Sequence, residues 1–253
     1  MLLEIAAFNY ESALLAAKYG ADRIELCDNE HEGGTTPSYG TLKSARANIS
    51  IPIFPMIRPR GGDFIYSDDE FNIMKEDIAL CKQMGFEGVV FGLLKDNGSI
   101  DIERTSILVE HAYPLDVTFH RAFDRSKDPF KALEQIIECG CTRILTSGQH
   151  PTATEGVAII KALITLADDR IIIMPGSGVR SHTIQTLSKE TSAIEFHSSA
   201  KKMIATIDSR NLNWKQNVLL KMPRFILNML EEFDDISFIK DKKKALTSII
   251  KLE

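Results

Sequence analysis

Eight short runs of branched and other apolar residues recur along the chain, and this recurrence constrains the fold more than any other feature. They are LLEIAA (2–7), RIELC (23–27), IPIFPMIR (51–58), GVVFG (88–92), LDVTFH (115–120), RILTS (143–147), RIIIMPG (170–176) and AIEFH (193–197). Segments with helical spacing of apolar residues separate them, such as Phe71, Met74, Ile78 and Cys81, or Phe130, Leu133 and Ile137. Each run with its follower therefore reads as a βα unit. Start and stop signals agree: Ser67 to Glu70 and Thr152 to Glu155 have capping-box spacing, Asp128-Pro129 suits an N-cap and first helical residue, and Gly20, Gly85 and Gly140 suit left-handed helix ends. Eight such units in 253 residues predict an α/β fold, a (β/α)8 TIM barrel, ahead of an open doubly wound sheet. No Gly-rich linker breaks the rhythm, so the barrel is expected to be one domain over 1–203. A C-terminal tail, 204–253, holds Trp214, FILNMLEEF (225–233) and KDKKK (240–244). It is expected to be helical, to pack on the barrel or at a subunit contact, and looks particular to this chain.

Composition narrows the functional classes. A net charge of −5 gives no basic excess to attract nucleic acid. No run approaches the roughly 18 apolar residues of a membrane span, and the N-terminus has an early Glu4 and no basic region of a signal peptide. The expectation is a cytoplasmic protein without a membrane or nucleic-acid partner. Four cysteines, Cys27, Cys81, Cys139 and Cys141, do not suggest a disulfide framework in a chain this long, so reduced thiols are expected.

Strand alternation then separates side chains that face the helices from those that face the barrel axis. With the most apolar set turned outward, the inward set comprises Glu4, Glu25, Cys27, Met56, Arg58, Thr118, His120, Thr146, Met174, Gly176, Glu195 and His197. A self-neutralised polar plug is one reading. Arg58, His120 and Glu195 to His197 fall at the C-terminal ends of their strands, where barrel enzymes keep their sites, and that favours a functional pocket. In a catalytic reading Arg58 holds an anion, His120 moves a proton, Glu25 is a further acid/base group, and Glu195 orients His197. The loop PGSGV (175–179) before a helix offers Gly176 and Gly178 for phosphate or carboxylate, with Thr146 and Ser147 on the same rim.

Four stretches, IRPRGGDF (57–64), VTFHRAFD (117–124), RILTSG (143–148) and EFHSSA (195–200), in this order and spacing, resemble the CutC family of copper homeostasis proteins. The resemblance spans about residues 2–203 and implies a TIM barrel, a cytoplasmic location, copper binding and self-association into a homo-oligomer. The chain departs from the family pattern at DNEHEGG (28–34) and PGSGV (175–179). Cytosolic copper is mainly Cu(I), which prefers thiolate and thioether with imidazole in support. Candidate metal ligands are therefore Cys27, Met56, His120 and His197, with a separate Cys139–Cys141 pair at a helix-to-strand junction. The alternative is an enzyme performing acid/base chemistry on a small phosphorylated or carboxylated metabolite, favoured by arginines and glycine loops that suit an anion better than a cation.

Overall fold

The computed structural model describes residues 1–200; the predicted tail, 204–253, lies outside the described residues. Eight parallel strands alternate with seven helices: β1 Leu2–Ala7, α1 Tyr10–Lys18, β2 Arg23–Leu26, α2 Tyr39–Asn48, β3 Ile53–Pro55, α3 Asp68–Met84, β4 Gly88–Phe91, α4 Ile102–Ala112, β5 Asp116–Phe119, α5 Pro129–Glu138, β6 Arg143–Thr146, α6 Val157–Ala167, β7 Ile172–Pro175, α7 Ser181–Thr191 and β8 Glu195–Ser198. Hydrogen bonding orders them β3-β2-β1-β8 and β4-β5-β6-β7. A bridge between Met56 and Val90 joins β3 to β4, and β7 lies beside β8, which closes the ring. The predicted (β/α)8 barrel is the observed fold.

The helix signals act mostly as the sequence reading expects. Ser67 and Glu70 form a reciprocal capping box on α3, and Asp128 caps α5 ahead of Pro129. Gly20, Gly85 and Gly140 all have positive φ. Thr152 and Glu155 do bond to each other, yet α6 begins only at Val157. The turn from Thr152 to Gly156 closes with the Gly156 N–H donating to the Thr152 carbonyl, and Gly156 lies against the β6 loop, where a Cβ would be 1.9 Å from the Ser147 carbonyl oxygen.

Outward residues such as Ile5, Ile24, Val89, Phe91, Phe119 and Ile144 pack with buried helix residues in one continuous core. Each fully buried side chain of this size contributes roughly 1.5–3 kcal/mol. Inside the ring the N-terminal end is sealed by charge. The Arg23 Nε–H donates to Glu4 at 2.5 Å, an Nη2–H donates to Glu195 at 2.6 Å, and the Arg143 Nε–H reaches the same Glu195 oxygen at 3.2 Å. Both guanidiniums stack on the Phe54 ring, at 4.9 and 5.1 Å. Gly88 makes room for that ring, since a Cβ there would meet it at 2.5 Å.

Candidate functional site

Above this sealed floor the side chains of β1, β2 and β8 build a second layer. Glu4, Glu25 and His197 bring one ligand-type atom each within 4.8 Å of one another. His197 Nδ1 is 2.7 Å from Glu4 Oε1, and its Nε2 faces Glu25 Oε2 at 3.9 Å. The Cys27 thiol donates to the same Glu25 oxygen at 3.5 Å, while Glu25 Oε1 is buried without a partner. Met56 adjoins Cys27, because both border the space beside Gly34.

The electrostatics follow from burial and these partners. Burial would raise Glu4, but His197 and Arg23 overcome it and hold this carboxyl down at about 2. Burial raises Glu25, against the pull of His197. Burial would lower His197, yet Glu25 and Glu4 together keep it raised. Cys27 is pushed well up by burial and then by Glu25, so its thiol is protonated at neutral pH.

A second group lies on β3, β5 and their loops. Arg58 donates from Nη1 to the carbonyls of Glu32 and Gly34 and from Nη2 to that of Gly62, at 2.6–2.8 Å, tying the loops after β2 and β3 together. Its Nε makes no hydrogen bond of normal geometry among the described residues, and its charge acts on the buried Tyr66 hydroxyl, whose pKa burial still pushes up to about 12. Phe64 packs against both Arg58 and His120, with its ring centre 4.9 Å from the guanidinium and 4.9 Å from the imidazole centre. His120 Nδ1 accepts the Ala122 N–H at 3.2 Å, which leaves the ring proton of the neutral form on Nε2, and that nitrogen is buried without a partner. Burial, then the Arg58 charge, lowers His120 to about 3, so it is neutral. Gly92 is what admits the ring: a Cβ there would be 2.6 Å from Nδ1.

Members of both groups, Glu25, Met56, Arg58, Phe64, His120 and His197, border a cavity of about 650 Å³ at the C-terminal end of the barrel, with Glu4 and Cys27 outside its lining. Several expected site residues lie elsewhere. Glu195 does not orient His197; it neutralises Arg23 and Arg143 in the floor, and Glu4 takes the role assigned to it. Thr146 does not face the axis. Leu145 does, because Gly176 opposite has no side chain and a Cβ there would lie 2.4 Å from the leucine methyl. Thr146 and Ser147 instead bond Asp124, whose carboxylate also accepts from Arg121 and the Gln149 backbone N–H. Gly176 and Gly178 are outside the cavity lining, and the Gly176 N–H donates to the Thr146 carbonyl. Cys139 and Cys141 are buried at the opposite end, where burial raises both thiols. Arg23 and Arg143 went unnoticed in the sequence; Arg23 shares the parity of Glu25 and was legible from it.

A sequence model of the CutC family matches residues 1–202. The chain belongs to the CutC family. A CutC family protein of Parabacteroides distasonis is 47% identical over 246 residues, 96% of this chain and 98% of its own. That alignment necessarily runs far into the tail, which corrects the expectation that the tail is particular to this chain. The human copper homeostasis protein cutC homolog is 49% identical over 200 residues, 79% of this chain and 73% of its own. The solved CutC structure from Streptococcus agalactiae superposes with a TM-score of 0.75 at 38% identity, covering 79% of this chain and 98% of that one. Within this CutC barrel, the motifs that carried the resemblance supply Arg58, His120, Asp124 and His197, so the family signature runs around the rim and wall of the cavity.

Proposed function

We propose that this CutC chain takes part in copper homeostasis, as the name of its human relative states of that protein, by holding a copper ion in the layer above the barrel floor. The observation that carries the reading is the close approach of Glu4, Glu25 and His197 with the Cys27 sulfur 3.5 Å from Glu25. The donors fit: Cys27 and Met56 supply soft sulfur, His197 Nε2 supplies imidazole, and Glu25 has an oxygen with no other partner. Glu4 would stay behind the metal, fixing the ring of His197 through Nδ1, an arrangement common around metal-bound histidine. His120 fits poorly, since its Nε2 carries the proton while the Ala122 N–H occupies Nδ1. Four free thiols and the absence of any described helix able to cross a membrane are consistent with a cytoplasmic place. Exposed Ile73 and Ile107 on neighbouring helices offer apolar surface for self-association.

Anaerobic titration with Cu(I) against a cuprous chelator tests this. Near-stoichiometric uptake is expected, weakened by Cys27→Ser and by His197→Ala, and weakened roughly 10–100-fold by Glu4→Gln although Glu4 need not touch the ion. Because the Cys27 proton must leave, affinity should fall as pH drops. Retention of all Cu(I) by the chelator, or equal uptake by wild type and Cys27→Ser, would overturn the reading.

A further inference from the structure

Of the three buried guanidiniums in the described barrel, two are neutralised: Arg23 by Glu4 and Glu195, Arg143 by Glu195 and Asp116. Arg58 is buried just as deeply and, among the described residues, has no carboxylate within ion-pair distance; three of its bonds go to backbone carbonyls, and Asp63 feels its charge only from farther off. A buried charge without a counter-charge is costly, and charges inside proteins are ordinarily paired. The side chain nevertheless borders a cavity of about 650 Å³, far larger than an ion needs and within the range of pockets for small organic molecules. We propose that this cavity binds a small organic acid, whose carboxylate supplies the missing counter-charge between the Arg58 Nε–H and the His120 Nε2–H, with its carbon chain against Phe64.

The Arg58 Nε–H and the His120 Nε2–H make no hydrogen bond of normal geometry among the described residues, the nearby Tyr66 hydroxyl carries no charge, and the two donors, one cationic and the other on a neutral ring, match the two oxygens and single charge of a carboxylate. A phosphate fits less well. The glycine loop after β7, where barrels often hold phosphate, is outside the cavity, and the Gly176 N–H is already engaged. The rest of the wall suits a short carbon chain, since Phe8, Met56, Phe64 and Leu145 alternate with polar groups. Lys95 and Arg125 border the cavity as exposed cations alongside the exposed carboxylates of Glu32, Asp63 and Asp96, so the charge at the mouth is mixed and the buried Arg58 is the feature that favours an anion.

The test uses the full chain freed of copper, so it stands apart from the fate of the copper reading. Pyruvate, malate and citrate are the probes, with glycerol 3-phosphate for comparison. At least one acid should raise the melting temperature saturably and shift the His120 Nε2 resonance in nitrogen NMR. Arg58→Lys, which keeps the charge but removes the Nε–H, and His120→Phe should each weaken that binding roughly tenfold or more. Cys139→Ser, outside the cavity lining, should leave it unchanged. Binding of glycerol 3-phosphate alone, no response to any acid, or affinity unaltered in both the Arg58 and His120 variants would overturn the proposal. The resonance shift in the unaltered protein decides the matter should a variant fail to fold.

Discussion

At the scale of single residues, His120 shows how one hydrogen bond sets a side chain's chemistry. The Ala122 N–H occupies Nδ1, so the neutral ring can only donate from Nε2, and the Arg58 charge adds to burial in keeping it neutral. Its pKa is depressed from 6.5 to about 3, so within that window the unfolded chain binds a proton that the folded chain refuses. Stability contributed by this group is present above pH 6.5 and is lost as pH falls. Glu25, raised by burial, works in the opposite direction, so the quantity to measure is the difference between proteins. Urea midpoints for wild type should fall more steeply between pH 6.5 and 4 than those for His120→Gln, and equal slopes would refute the assignment. His120 was legible as inward-facing from strand alternation alone. Its tautomer was not, because that depends on an amide brought round by the turn that follows β5.

At the scale of elements, local chemistry and tertiary crossing divide the control of helix boundaries. The α3 start is local: Ser67 Oγ accepts the Glu70 N–H and the Glu70 carboxylate accepts the Ser67 N–H. Ser67→Ala should therefore cost about 1 kcal/mol in denaturant unfolding with no change in ligand or metal binding. A cost near zero would mean that the box contributes nothing beyond what water supplies. The α6 start involves tertiary contact as well, since the same spacing at Thr152 and Glu155 closes a turn ahead of the helix, and Gly156 at its end lies directly against Ser147 of the β6 loop. The loops after β5 and β6 behave similarly. Their shared anchor is Asp124, which accepts from Arg121, Thr146, Ser147 and Gln149. The charge cluster in VTFHRAFD is thus divided between a cavity residue, His120, and a brace that holds two loops in place.

At the scale of the whole molecule, the floor joins β1, β2, β6 and β8 through Glu4, Arg23, Arg143 and Glu195. Removing one member leaves buried charge behind, so Glu195→Ala should destabilise the protein by roughly 3–5 kcal/mol, whereas it should leave Cu(I) uptake by the folded protein largely intact. Loss of uptake with unchanged stability would return Glu195 to the site that strand parity first suggested. The confusion between Glu4 and Glu195 is instructive: both are inward acids on neighbouring strands, and only the stagger between β1 and β8, which sets Glu4 beside His197, decides which one serves the imidazole. The sequence by itself determined the eightfold βα rhythm, the inward set at most strands, the capping of α3 and α5 and the family, since each rests on spacing along one chain. The tertiary structure alone decided which inward charges neutralise each other, that Leu145 rather than Thr146 fills the axis, and that Arg58 has no carboxylate in ion-pair contact among the described residues. Those outcomes depend on register between strands and on the room that glycines leave opposite one another, and neither quantity is written along any single strand.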